Sequence, residues 1–258
     1  MLCRSLTGTA EALGSGLFRY RLPAGVTISA GTLEVVLAAG SFRDNAGYAN
    51  VASSMTMTVR GVTLEMVGLG NNALPVDRLN ANGYFDVRFR PTTGATLVPG
   101  SVTDAAAEFT LAGSGATGVQ VDNTRTIALG DGVFRYFFTV RFSEGAVTLT
   151  TVSGAATDSA GNGTVSEASE FEVAALRATL VRPTPYLIIN KPTLNSLGSI
   201  LIEMTDRFGA GLDEGSIADS APEFVLSGQG AANVVLNGSG SAVVVDGRTY
   251  YKYSFIGD

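Results

Sequence analysis

The sequence predicts an all-β chain of antiparallel two-sheet sandwiches, and three observations carry that reading. Apolar residues alternate at every second position over short runs. Glycine, asparagine, aspartate or proline punctuates the gaps between those runs, and a block of about 115 residues recurs along the 258-residue chain. The clearest run is 134–142, where Phe134, Tyr136, Phe138, Val140 and Phe142 fall on one face while Arg135, Thr139 and Arg141 fall on the other. A strand buried on one face and wet on the other has that period. Shorter runs at 62–66, 84–89, 108–111, 147–152, 186–189, 200–204, 234–236 and 242–245 read as further strands. No dozen residues keep a glycine-free helical period, so helix is expected to be minor.

The recurrence is explicit. The segment at 101–113 (SVTDAAAEFTLAG) returns at 216–228 (SIADSAPEFVLSG), with seven of thirteen positions identical. Phe85 to Phe89 and Ile200 to Met204 keep the same alternation at that offset, and Phe18-Arg19-Tyr20, Phe134-Arg135-Tyr136 and Tyr251-Lys252-Tyr253 fall into register. Asp44-Asn45-Ala46-Gly47-Tyr48 matches Asp158-Ser159-Ala160-Gly161-Asn162. The organisation expected is a C-terminal half-unit at 1–60, a complete unit at 61–175 and an N-terminal half-unit at 176–258, as in a fragment of a longer tandem array. Seven or eight short strands per unit point to tandem immunoglobulin-like β-sandwich repeats, the terminal ones incomplete.

Composition removes several classes of chemistry. There is no histidine, no tryptophan and a single cysteine, Cys3. Zinc and haem sites, histidine-based triads and an intrachain disulfide framework are therefore not expected. The net charge of −6 argues against nucleic acid as a partner. No apolar run approaches a membrane span, and the first six residues lack the apolar stretch of a signal peptide. The glycine-rich segments 113–118 and 130–132 are followed by no phosphate-binding helix start.

Taken in order, the motifs Phe-x-Val-x-Phe, Glu-Phe-x-Leu-x-Gly, Phe-Arg-Tyr, Asp-x-Ala-Gly-Asn and a closing Phe-Glu-Val resemble bacterial Ig-like tandem repeats of large surface and secreted proteins, including adhesins and RTX-type exoproteins. That resemblance implies an extracellular or bacterial cell-surface location and a non-catalytic structural or adhesive role as spacer or display stalk. Its partners would be neighbouring repeats and a host, cell-surface or matrix ligand, and calcium binds near unit ends in some members. A glycan- or protein-binding module, or an accessory domain of an extracellular hydrolase, is the alternative.

Asp158 and Asn162, with Asp44 in the first unit, are the candidate calcium ligands, because the turn gathers hard oxygen donors. The same residues also form tight turns with no metal. Asp104 and Glu108, echoed by Asp219 and Glu223, would share a face if extended and so could form a carboxylate pair. Their recurrence fits capping and packing better than a single active site. Arg19, Arg135 and Arg141 are expected on a solvated face, and Phe18, Tyr20, Phe134, Tyr136, Tyr251 and Tyr253 in cores. Because the first half-unit carries strands that the last one lacks, two chains are expected to be able to complete each other head to tail.

Overall fold

A computed structural model describes residues 10–256; Cys3 and the first six residues lie outside them. The chain is all-β with a few short helices. The first stretch holds two hairpins, β1 (Glu11–Gly14) with β2 (Leu17–Arg19) and β3 (Gly31–Leu37) with β4 (Ser53–Val59). The middle stretch holds β5 (Thr63–Met66), β6 (Ala73–Pro75), helix α1 (Val76–Asn82), β7 (Tyr84–Arg90), β8 (Phe109–Ala112), β9 (Gln120–Gly130), β10 (Val133–Thr139), β11 (Gly145–Thr151) and β12 (Ala168–Ala174). These strands form two four-stranded sheets, ordered β5-β7-β10-β9 and β6-β12-β11-β8, antiparallel except for the parallel β6–β12 pair.

The core follows from the alternation. Phe85, Val87 and Phe89 of β7 and Phe134 and Tyr136 of β10 face Phe109, Val147, Leu149, Phe171 and Val173 of the opposite sheet, all buried. Aromatic edges fill the space between the layers, as where Phe109 meets Tyr136 at 4.9 Å between ring centres and 75°. This is the geometry that aromatic quadrupoles favour.

The last stretch holds β13 (Arg177–Arg182), α2 (Lys191–Leu197), β14 (Ser199–Thr205), α3 (Glu214–Ala218), β15 (Val235–Leu236), β16 (Ser241–Val245) and β17 (Arg248–Ile256). Its sheet runs β13-β14-β17-β15, with β16 also on β17. Ile200 pairs with Tyr253 and Ile202 with Tyr251, as Phe85 pairs with Tyr136 and Val87 with Phe134. Helices α1 and α2 both stop at a left-handed glycine, Gly83 (φ 68°) and Gly198 (φ 56°), a conformation that a Cβ disfavours.

Three sequence expectations change. The run at 134–142 is not one strand: β10 ends at Thr139, and Val140 takes φ 62° and points to solvent. The bend still buries Phe142, whose backbone exchanges two 2.9 Å hydrogen bonds with the Asn80 side chain on α1. Residues 186–189 form no strand, because the stretch has no neighbour for them to pair with among the described residues. Phe18 and Tyr20, expected in a core, are 55% and 62% exposed, because the β1–β2 hairpin has no facing sheet among the described residues.

Candidate functional site

The Asp158 turn is built for capping. The side chain is buried, and its carboxylate accepts from Thr92 Oγ1 (2.5 Å), Thr92 N (3.1 Å), Ala160 N (3.0 Å), Asn162 N (2.9 Å) and the Asn162 amide (3.3 Å). The Thr92 hydroxyl bond, ahead of the backbone amides, holds this carboxyl well below the usual aspartate range against the opposing effect of burial. The turn also ties down the loop before it: Thr96 N donates to Ser159 Oγ at 3.0 Å, and Ser159 N to Thr96 O at 2.7 Å. Asp44 makes the same turn in the open, accepting from Ala46 N (2.9 Å) and Tyr48 N (2.8 Å). What Asp44 and Asp158 share is the capping of backbone N–H groups.

The donor set at Asp158 fits calcium poorly. A cation there would have to displace five N–H and O–H donors. Among the described residues no three acidic, histidine or cysteine side chains converge on one point. Asn162 lies beside Asp158 as the sequence predicts, but it presents its amide nitrogen to the carboxylate rather than a second oxygen to a shared ligand.

Asp104 and Glu108 take different roles. Asp104 caps its own turn by accepting from Ala106 N at 2.8 Å, as Asp219 accepts from Ala221 N at 2.7 Å. Glu108 is sealed in the core, only 1% exposed, where it accepts the Tyr136 hydroxyl at 3.1 Å through Oε2 while Oε1 has no partner. Burial pushes its carboxyl up to about 7. The opposing hydrogen bonds from its own backbone and Tyr136 are weaker, and Asp104 adds a further push upward. No glycan reaches a carboxylate so enclosed. In the last stretch Tyr253 is equally buried, and its hydroxyl has no hydrogen-bond partner. Burial first, and then the nearby Glu223, holds the Tyr253 proton more firmly than in a free tyrosine, but Glu223 itself stays at the surface.

The arginines of the wet sheet face are engaged with their neighbours. Arg135 grips Asp86 with two bonds (2.8 and 3.0 Å) and lies 3.6 Å over the Tyr84 ring, and Arg88 and Arg90 both reach Glu65. Arg19 pairs with Glu11 at 3.6 Å. Cross-strand pairs of this kind steady a sheet surface by about 0.2–1 kcal/mol each and leave little free charge for an anion. Phe134, Tyr136, Tyr251 and Tyr253 are core residues rather than a stacking platform.

The sequence reading missed the junctions between the stretches. Three residues separate β4 from β5, and two separate β12 from β13. At the first junction Arg60 bonds Glu167 at 2.8 Å, and Gly61 lies so close to Gly163 that a Cβ would come within 2.0 Å of its carbonyl oxygen. At the second, Arg177 reaches Glu144 at 2.5 Å, Arg207 reaches Glu172 at 2.7 Å, and Gly70 meets the Phe208 carbonyl with the same intolerance of a Cβ, at 2.2 Å. A cleft of about 580 Å³ opens beside this contact, bordered by Leu69, Arg78, Tyr84 and Phe208. The sequence carries no signal for these contacts: Gly70 reads as the start of a tight Gly-Asn-Asn turn, which it also forms, with Gly70 and Ala73 exchanging backbone hydrogen bonds.

No protein-family model matches the chain, and no curated protein sequence matches it. Among solved structures it is similar to FdeC, an adhesin of Escherichia coli, at 14% identity and a TM-score of 0.29, over 88% of this chain and 65% of that one. It is also similar to domains 4–9 of the surface layer protein SbsC, at 13% identity and a TM-score of 0.22, over 87% of this chain and 31% of that one. The chain thus spans less than two thirds of the length of either structure, and superpositions this loose say nothing of what it binds.

Proposed function

We propose that this chain is a non-catalytic structural segment of a bacterial surface or secreted protein, in which immunoglobulin-like units bounded near residues 60 and 175 act as a spacer or display stalk. The observation that carries this reading is the pair of junctions: connectors of two and three residues, with Arg60 bonded to Glu167 and Gly61 wedged between Ala30 and Gly163 at the first, and Arg177 bonded to Glu144 and Gly70 pressed against Phe208 at the second. A connector that short and that packed transmits orientation from one unit to the next, whereas a binding module on a flexible tether needs neither feature. The extent of surface agrees: 16644 Å² accessible, against about 10,700 Å² for a compact monomer of this mass. Adhesion to a host or matrix ligand is a finer version of the same role.

Small-angle scattering tests it. At dilutions where the chain is monomeric, a stalk gives a radius of gyration well above the roughly 18 Å of a compact chain of this length. Gly61→Val should broaden the distribution of dimensions by prying the first junction apart. A compact particle, or a flexible one that is indifferent to Gly61→Val, overturns the stalk.

A further inference from the structure

The cleft of about 580 Å³ beside the second junction has the size of a small-molecule site. Its walls come from both sides of the junction: the 67–75 loop, α1 and the start of β7 from the middle stretch, and Phe208 and Ala210 from the last. Each wall is held by its own hydrogen bonds. Gly70 and Ala73 exchange bonds of 3.0 and 2.9 Å across the Asn71–Asn72 turn. That turn is tied to β12, where Asn72 donates its side-chain amide to Glu170 O and accepts Glu172 N at its carbonyl, both at 2.9 Å. Opposite it, the Asp206 carboxylate accepts from Phe208 N and Gly211 N, both at 2.7 Å, closing the loop that lays Phe208 against Gly70. Arg207 on Glu172 fastens one wall to the other, and the Asn80 side chain on Phe142 fixes α1. A ligand therefore meets formed walls, and little ordering is left to oppose its binding.

The polar groups of the cleft differ in charge balance. At one edge Arg135 and Asp86 satisfy each other through two bonds, so together they present donors and acceptors without net charge. Arg78, on α1, is exposed and makes no ion pair or hydrogen bond among the described residues, whereas nine other arginines are paired with carboxylates. An uncompensated cation thus borders a cleft in a chain whose net charge is −6. Asn82, one turn further along the helix, adds an exposed amide. Leu69, Pro75 and Phe208 are half-buried and supply apolar surface.

We propose that this cleft binds an acidic sugar, a ring whose carboxylate pairs with Arg78 while its carbon skeleton rests on Leu69, Pro75 and Phe208 and its hydroxyls bond Asn82 and the Arg135–Asp86 pair. A guanidinium with no partner selects a carboxylate, to which it can make two parallel bonds. An edge that both gives and takes hydrogen bonds selects hydroxyl groups, which do the same. A purely apolar acid would strip water from that edge and return no bonds to it. Because Arg78 belongs to the middle stretch and Phe208 to the last, the occupant bridges the junction.

Nuclear magnetic resonance of the isotope-labelled full chain, titrated with D-glucuronate, tests the site. Amide resonances within 67–86 and 206–211 should shift together and saturate. D-glucose, which lacks the carboxylate, and cyclohexanecarboxylate, which lacks the hydroxyls, should each bind more weakly by roughly tenfold or more. Arg78→Ala should weaken glucuronate by the same factor with the remaining spectrum unchanged, since this side chain bonds nothing in the described fold, and Phe208→Ala should weaken it several-fold. Arg182→Ala, at the far end of β13 from the pairing of Arg177 with Thr205, should leave binding as it is. Absence of a saturable shift overturns the proposal, as do binding that survives Arg78→Ala or Phe208→Ala and equal affinity for the three probes. A loss in Arg182→Ala equal to that in Arg78→Ala would mean a general attraction of anions to arginine and overturns it as well.

Discussion

The middle and last stretches present the same sheet in two conditions, one covered and one bare. In the covered sheet, Val87, Tyr136, Val147 and Val173 have no measurable exposure and a seventeen-residue core runs through both layers. In the bare one, five residues are buried, Ile200, Ile202, Ile217, Tyr251 and Tyr253, and they are shielded mainly by loops and by Phe224. Strand pairing and register are thus local properties of the sheet, whereas the size of the core depends on the second layer. The polar centre shows the consequence. Tyr136 and Glu108 are locked together under the second layer, while Tyr253 is buried with no bond to the matching Glu223, which stays at the surface.

The sharpest way to break this comparison is to make one change in the covered layer and the same change at its uncovered counterpart. Phe171→Ala should cost the middle sandwich about 3–5 kcal/mol, through lost apolar burial and a cavity in a close-packed core. Met57→Ala, at the equivalent place on β4, should change the stability of the dilute monomer by no more than about 0.5 kcal/mol, as for other substitutions outside a packed core. Calorimetry of the full chain separates the two, and equal effects would mean that β3–β4 is already packed within one chain.

Next in size is the pH dependence of the buried glutamate. Glu108 has a folded value of about 7 against an ordinary 4.5, so the folded state holds its proton where the unfolded chain has released it. The stability this contributes is complete below about pH 4.5 and is lost as pH rises to about 7, up to about 3 kcal/mol in all at 1.36 kcal/mol per pH unit. The transition of the middle sandwich should therefore fall over that window, and Glu108→Gln should flatten the fall. A wild-type profile already flat from pH 4.5 to 7 would mean that water reaches the carboxylate.

Much of this architecture was legible in the sequence because it is periodic. Phe134 and Tyr136 alternate with Arg135 whether or not a second sheet exists, and the Asp-x-Ala-Gly-Asn turn depends only on its own five residues. The illegible parts depend on residues far along the chain. Whether Phe18 and Tyr20 are core or surface is decided by a facing sheet, not by their own period. Val140 fits the alternation but is turned out, because Asn80, some sixty residues earlier, holds the backbone at Phe142. Spacing alone makes Glu108 resemble one member of a carboxylate pair, because it carries no information about which side of a bend is sealed. Nothing around Gly61 and Gly70 in the sequence signals that each lies against the backbone of a distant segment.

The smallest effect concerns the two aspartate turns, and it bears on calcium as well as on the comparison. Asp158 is buried under bonds from Thr92, Ala160 and Asn162, so Asp158→Ala strips a cap from several backbone and side-chain donors and frees the loop around Thr96. Asp44→Ala removes two backbone bonds at an exposed turn and should lower the melting temperature less. Because the Asp158 carboxyl is held below its ordinary value of 3.8, its contribution is present above that pH and fades as pH falls through the lower folded value, opposite in sense to that of Glu108. Melting both variants and the wild type in calcium and in chelator distinguishes the roles. If the turn works through its own hydrogen bonds, calcium leaves the wild-type transition where it is and the gap between the variants persists in chelator. A transition that calcium raises by several degrees, with the rise abolished by Asp158→Ala and not by Asp44→Ala, would require the donors around Asp158 to give way to the ion and would make this turn a metal-stiffened joint.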